Sequence, residues 1–204
     1  MSMIKSLIFD FGNVIYPERW DLVLENFREE IDRKITSEQF KSGFKKFWDE
    51  YKCGRLNTQT FWAQVLSFLN LNNSFQNVCK ATLSFKQIWK SPDEKIIRIL
   101  SKLNWDHQVF GLTNSCFELE EKIEQVNKLF KKVYMSHREG IAKPKKEFYL
   151  KVIEQNQLKP EQCIFIDDKE GNIKAARNLG IIGIRYQNPE QLQTELTRFK
   201  IKIV

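Results

Sequence analysis

The chain has 204 residues and a formal net charge of +7, from 33 Lys and Arg against 26 Asp and Glu. An apolar share of 42%, a charged share of 29% and 16 phenylalanines support a packed core and exclude a disordered, collagen-like or low-complexity chain. The acids are interspersed with the bases, so no single-sign block marks a nucleic-acid surface.

The same composition argues against two other classes. Cys53, Cys79, Cys116 and Cys163 lack C-x-x-C spacing, and His107 and His137 are the only histidines, so neither a zinc site nor a disulfide framework is expected. No apolar run approaches the roughly 18 residues of a membrane span, and Met1 to Asp10 lacks the apolar stretch of a signal peptide. The expectation is a reduced, cytoplasmic protein with no nucleic-acid or membrane partner. Nothing in the sequence sets its oligomeric state.

Ile4 to Phe9 reads as a buried strand ending at Asp10, and Phe11-Gly12-Asn13 as a turn. From about Trp20 to Lys90 the chain has helical periodicity and many aromatics. Thr36-Ser37-Glu38-Gln39 predicts a capping box, with Phe40, Phe44 and Phe47 at helical spacing behind it. Asn57 predicts a second cap, before Phe61, Val65 and Phe68. This stretch is expected to be a small helical bundle with the aromatic stripe as its core.

An alternating pattern follows. Ser91-Pro92-Asp93-Glu94 predicts a helix start with Ser91 as its cap, and Ile96, Ile97, Leu100 and Leu103 line one face. Gln108 to Leu112 predicts a strand running into Thr113-Asn114-Ser115. Glu118 to Phe130 predicts a helix, Val133 to Met135 a short strand, and Pro144 the opening of a helix to Gln155. Cys163 to Ile166 predicts a strand ending in Asp167-Asp168. Asn172 to Leu179 predicts a helix closed by Gly180 as a left-handed cap, and Ile181 to Tyr186 a last core strand. A helix from Glu190 is followed by Phe199 to Val204 as an edge strand or tail. Strands alternating with helices imply a parallel sheet with right-handed crossovers. The expected fold is therefore a Rossmann-like, three-layer α/β core over residues 1–16 and 90–204, with an α-helical bundle inserted over 17–89.

Ligands of open parallel sheets bind beyond the carboxyl ends of the strands. Here those ends carry Asp10, Thr113-Asn114 and Asp167-Asp168, with Lys143-Pro144 at a helix start between the last two. Each piece alone is ordinary turn or cap chemistry. Together they make an oxygen-only set with one ammonium. Two neighbouring carboxylates favour a cation between them, and oxygen ligands favour Mg²⁺. Lys143, the Thr113 hydroxyl and backbone N–H groups are then suited to phosphate oxygens, and Asp10 to attack on phosphorus.

These residues resemble the haloacid dehalogenase-like hydrolase superfamily. Phe9-Asp10-Phe11-Gly12-Asn13-Val14-Ile15 is similar to its first motif and Leu112-Thr113-Asn114 to its second. Ser136 to Pro144 resembles the segment carrying the third-motif lysine, and Ile164 to Asp168, with Asn172, Ala176 and Leu179-Gly180, the fourth. The resemblance implies Asp10 as nucleophile and metal ligand, Asp167 as second ligand and Asp168 in support of the metal or its waters. It implies Thr113 and Asn114 as phosphate ligands and Lys143 as the cation beside phosphate and Asp10. The helical insertion would be a cap, and Gly54-Arg55, in a turn between its helices, would bring Arg55 towards substrate.

One departure matters. Family phosphatases carry a second Asp two residues after the nucleophile, as acid to the leaving group and base to water; here that position is Gly12. The Gly12 carbonyl is still able to ligate Mg²⁺, but side-chain acid–base chemistry is absent from that position. General acid catalysis is worth about 10²–10⁴-fold. An activated leaving group would need less help, and Glu18 is the nearest substitute in sequence. The Asp-x-Gly-Asn-Val pattern is similar to a subgroup that includes alpha-D-glucose-1-phosphate phosphatases and epoxide-hydrolase-like phosphatase domains.

The expectation is a Mg²⁺-dependent phosphatase acting on a small phosphate monoester, a sugar phosphate among them, through an aspartyl-phosphate. The alternatives are a metal-independent 2-haloacid dehalogenase, disfavoured by Asp167-Asp168, and a non-catalytic binding or regulatory relative, kept open by Gly12.

Overall fold

The computed structural model describes residues 3–103 and 106–201. Five parallel strands form one sheet among the described residues: β1 (Ser6–Phe9), β2 (Gln108–Thr113), β3 (Lys132–Met135), β4 (Cys163–Asp167) and β5 (Ile182–Arg185), in the spatial order β3-β2-β1-β4-β5. The chain builds outward from β1 to β3, then crosses back to β4 on the other side of β1. That reversal between β1 and β4 is the crevice where open α/β sheets bind ligands. The register pairs Phe9 with Ile166 and with Gly111, which sets the three polar strand ends side by side.

Both faces of the sheet are covered, and the strand interiors are correspondingly rich in buried apolar residues. Ile8, Phe110, Leu112 and Phe165 point to one side, against Phe148, Tyr149 and Val152 of α8 (Lys146–Gln155) and Ile173 and Ala176 of α9 (Glu170–Arg177). Leu7, Phe9, Val109, Ile164 and Ile166 face the other way. That second cluster includes Ile99 and Leu100 of α5 (Glu94–Leu103), Ile123 of α6 (Glu120–Val126) and Leu192 and Leu196 of α10 (Pro189–Arg198).

Between β1 and α5 lie four helices, all within described residues: α1 (Trp20–Glu30), α2 (Ser37–Tyr51), α3 (Thr58–Phe68) and α4 (Phe75–Phe85). The capping box at Thr36 and the cap at Asn57 form as expected, and Ser74 caps α4 in the same way. Phe44 sits at the centre of the aromatic stripe, 5.3 Å from Phe61 and 5.2 Å from Phe85 between ring centroids. Phe47 is half-buried and Phe68 exposed, because the α2–α3 contact opens towards solvent there. The chain enters and leaves this insertion at one place: Arg19 N–H donates to Ile88 O at 2.9 Å, and Asp93 N–H to Ile15 O at 2.8 Å.

Several element starts differ from expectation, each for a local reason. That bond from Asp93 keeps the backbone extended past Ser91, so α5 starts at Glu94, and Asp93 caps it by accepting from Lys95 N–H at 2.8 Å. The helix expected over 118–130 is shortened to α6 between two 3₁₀ turns, since Glu118 is buried under the insertion. Lys143–Pro144 is a cis peptide, Lys145 is extended, and α8 begins at Lys146. Asp167 Oδ1 accepts from Lys169 N–H at 2.8 Å, which starts α9 at Glu170, earlier than Asn172. Gly180 has φ +81°, as its capping role predicted. Phe199 to Ile201 form no strand, and residues 202–204 lie outside the described residues. Among the described residues no helix is long and apolar enough to cross a membrane.

Candidate active site

Asp10 follows β1 and is buried; its N–H donates to Ile166 O at 2.9 Å, which extends the sheet register by one residue into the crevice. Asp167 ends β4 and is fully buried. Asn172, on the first turns of α9, donates to both Asp167 oxygens at 3.0 and 2.9 Å. The ammonium of Lys143 lies between the two acids, 2.8 Å from Asp10 Oδ1 and 2.8 Å from Asp167 Oδ2. One buried cation thus faces two buried carboxylates, and the acids compete for it. Burial pushes the Asp10 carboxyl well above the usual carboxylate range, opposed by Lys143 and reinforced by the Asp167 charge. Burial would raise Asp167 as well, but Lys143 and the donors Lys169 N–H and Asn172 hold it below its ordinary value.

Two further groups stand open. The Thr113 hydroxyl, at the end of β2, and Asp168 Oδ1 are buried without a hydrogen-bond partner among the described residues. Such groups are costly unless something binds them. Asp10, Asp167 and Asp168 each offer a carboxylate oxygen, all within 4.8 Å of one another. An all-oxygen set of this kind fits Mg²⁺ chemistry and does not fit a soft metal.

The expected site residues do not all behave alike. Asp10, Lys143 and Asp167 form one cluster, with Asp168 beside it. Asn114 is committed to the backbone of Lys143, donating to its carbonyl at 2.9 Å and accepting from its N–H at 2.8 Å. Arg55 is half-exposed on the insertion and paired with Glu50, 2.5 Å away. Gly12 is buried, and a Cβ built on it would overlap Glu18 Oε1.

Two further residues take part in the site. Opposing burial, the charges of Asp10, Glu18, Asp168 and Asp167 raise the Lys169 ammonium above its ordinary range, so Lys169 is a second cation within electrostatic reach of the cluster. Asn13, at φ +55°, accepts from Glu18 N–H at 3.1 Å and donates to Asp168 Oδ2 at 3.3 Å. Asn13 follows Gly12 in the turn, and an Asn there is a left-handed signal legible in the sequence. Lys169 has no such signal.

The insertion seats on the sheet through a polar seam. Tyr51 donates to the buried Glu118, and Ser136 Oγ donates to Lys52 O at 2.5 Å. Gly54, at φ +70°, packs so closely on the His137 carbonyl that a Cβ would collide with it. Below the seam His137 bridges Ser115 Oγ, 3.2 Å from its Nδ1, and Glu120, 2.5 Å from its Nε2.

Fold and site together define a Rossmann-like α/β protein with an acidic strand-end site and a helical insertion after the first strand. The family model of haloacid dehalogenase-like hydrolases matches residues 7–185, and the chain belongs to that family. It is 24% identical over 208 residues to a D-ribitol-5-phosphate phosphatase of Bacteroides thetaiotaomicron, covering 96% of this chain and 98% of that one. It is 25% identical over 188 residues to the sesquiterpene phosphatase astK of Aspergillus oryzae, covering 88% of each. A HAD family enzyme of Bacteroides thetaiotaomicron superposes with a TM-score of 0.83 at 21% identity, over 96% of this chain and 99% of that one. A structure of that enzyme in complex with magnesium and inorganic phosphate superposes with a TM-score of 0.76 at 22% identity, over 90% and 94%.

Proposed function

We propose that the protein is a Mg²⁺-dependent phosphatase that hydrolyses a small phosphate monoester through an aspartyl-phosphate on Asp10. The observation that carries this reading is the buried Lys143 ammonium between Asp10 and Asp167, with the Thr113 hydroxyl at the neighbouring strand end unpartnered among the described residues. Asp10 directly follows the central strand, and its N–H bond to Ile166 O fixes its backbone for attack. Lys143 and Thr113 hold phosphoryl oxygens, and Lys169 adds charge at the mouth. Asn114 keeps Lys143 in register. Asp10, Asp167, Asp168 and the Gly12 carbonyl would hold Mg²⁺, which neutralises charge on the transferring group when bound. The magnesium and phosphate complex of the similar Bacteroides enzyme and the phosphatase relatives support the reading.

The helical insertion acts as a cap that closes over substrate and sets its class, a polyol or sugar phosphate fitting the relative named above. The three-carboxylate cluster is costly to build for chemistry on carbon without a metal, which disfavours a dehalogenase. Phosphate release from a panel of esters, with and without Mg²⁺, tests the proposal beside Asp10→Asn. Mg²⁺-dependent release that vanishes in the variant is the expected result. A folded wild type that releases nothing from any ester points to the binding relative, and metal-independent halide release to the dehalogenase.

A further inference from the structure

Gly12 leaves the loop after the nucleophile without a side chain, yet the space is not empty. The Glu18 carboxylate crowds it, with Oε1 2.4 Å from where a Cβ on residue 12 would lie. The loop is built to bring it there. Phe11 O accepts from the N–H groups of Ile15 and Tyr16 at 2.8 and 2.9 Å, and Asn13 N–H donates to Tyr16 O at 2.8 Å, so residues 11–16 fold back tightly and return residue 18 to residue 12. Asn13 Oδ1 then receives the Glu18 N–H at 3.1 Å. The carboxylate is aimed by two donors, Trp20 Nε1 at 2.9 Å and Asn13 Nδ2 at 3.5 Å, and both use Oε2. Oε1 is left as the oxygen turned to Gly12. The same Asn13 amide reaches Asp168, so Glu18 and the acid cluster share one hydrogen-bond network. Glu18 is partly buried and forms no salt bridge among the described residues. A carboxylate held this carefully, outside any salt bridge among the described residues and set against Gly12, two residues after the attacking acid, has the placement of a proton carrier.

We propose that Glu18 is the acid and base of the hydrolysis, carrying the proton from its own loop position in place of a side chain at residue 12. The inference rests on the phosphatase reading. In the first step an Asp10 oxygen forms its bond to phosphorus as the bond from phosphorus to the ester oxygen breaks. The bonding pair stays on the ester oxygen, the Glu18 proton moves onto it, and an alcohol leaves. In the second step water attacks the phosphorus, the bond to Asp10 breaks with its pair returning to the carboxylate, and the water proton returns to Glu18. Inorganic phosphate leaves, and both acids are restored.

The test is the dependence on leaving group. Wild type and Glu18→Gln are compared on acetyl phosphate, p-nitrophenyl phosphate and glycerol phosphate in Mg²⁺. The variant is expected to lose about 10²–10⁴-fold in kcat/KM on glycerol phosphate and under about tenfold on acetyl phosphate, whose departing group needs no proton. It is also expected to accumulate phosphorylated protein from acetyl phosphate, read by intact-mass measurement after acid quench, because water lacks its base. The double variant Gly12→Asp/Glu18→Ala, in which the new carboxylate on the loop takes the vacated space, is expected to recover glycerol phosphate hydrolysis relative to Glu18→Ala. An equal loss on all three substrates, or none, with no phosphorylated intermediate, overturns the proposal while leaving the phosphatase reading intact. A wild type inert towards all three removes both.

Discussion

Asn114 and Lys143 exchange a reciprocal pair of hydrogen bonds, the side-chain amide of one clasping both backbone groups of the other at 2.9 and 2.8 Å. The end of β2 is thereby fastened to the loop that carries the central cation. The ammonium reaches both acids because its backbone is pinned from the neighbouring strand. Asn114→Ala leaves a partly buried N–H and C=O unpaired. It is expected to lower the unfolding free energy by about 1–3 kcal/mol, read by urea denaturation, and to reduce phosphate release along with it.

Lys143 is the counterion of two buried acids. Lys143→Met is expected to cost about 3–5 kcal/mol of stability in metal-free buffer, the loss that follows when a buried charge is left unpaired. Mg²⁺ is expected to return part of that loss, and to shift the variant's midpoint further than it shifts that of wild type. A midpoint indifferent to Mg²⁺ in both proteins would speak against the three-acid metal site.

Asp10 is pushed up in pKa by burial, so the folded chain carries a group it would prefer to neutralise. Asp10→Asn is expected to abolish phosphate release while leaving the metal-free protein as stable as wild type or more so, by thermal denaturation. A strongly destabilised Asp10→Asn would show instead that the carboxylate holds the fold together.

The seam under the insertion has its own pH signature. Glu120 is held down to about 2, chiefly by its hydrogen bonds from Arg138, with His137 adding to the effect. Because the folded value lies below the ordinary 4.5, the stabilisation is present above pH 4.5 and is lost as the pH falls from there towards 2. Glu120→Gln is expected to be less stable than wild type at pH 7, with the gap closing over that acid window in urea titrations. A gap constant from pH 7 to pH 3 would remove Glu120 from the account.

Much of this was legible in the sequence, for a physical reason. Asp10 and Asp167 follow apolar runs that only a buried strand explains, so their place at strand ends could be read from periodicity. Thr113 was legible on the same grounds, whereas Lys143, placed before Pro144 at a helix start, was singled out by the family resemblance. The pairing of Asn114 with the Lys143 backbone was not, since a side chain bonding to a backbone far along the chain leaves no pattern in residue types. Lys169 is one of 33 cations and nothing local distinguishes it. Tyr51 and Glu118 read as one more aromatic in a stripe and one more acid in a charged segment; only packing makes them partners across the seam. Helix starts shifted wherever a tertiary bond claimed the backbone first, as Ile15 claims Asp93 and Asn114 claims Lys143.

The clamp formed by Arg19 with Ile88 and by Ile15 with Asp93 makes the four-helix segment a cassette. Its two ends leave the sheet side by side, so exchanging everything between them would ask nothing of the strand register or of the acids at the strand ends. If the insertion acts as the proposed cap, the chemistry and the choice of molecule are carried by separate stretches of the chain. On the proposed reading, a graft of another helical segment between Trp20 and Ile88 would leave Glu18 and the strand-end acids in place and carry a new selectivity onto the same reacting groups, provided the incoming turn again offers a glycine to the His137 carbonyl.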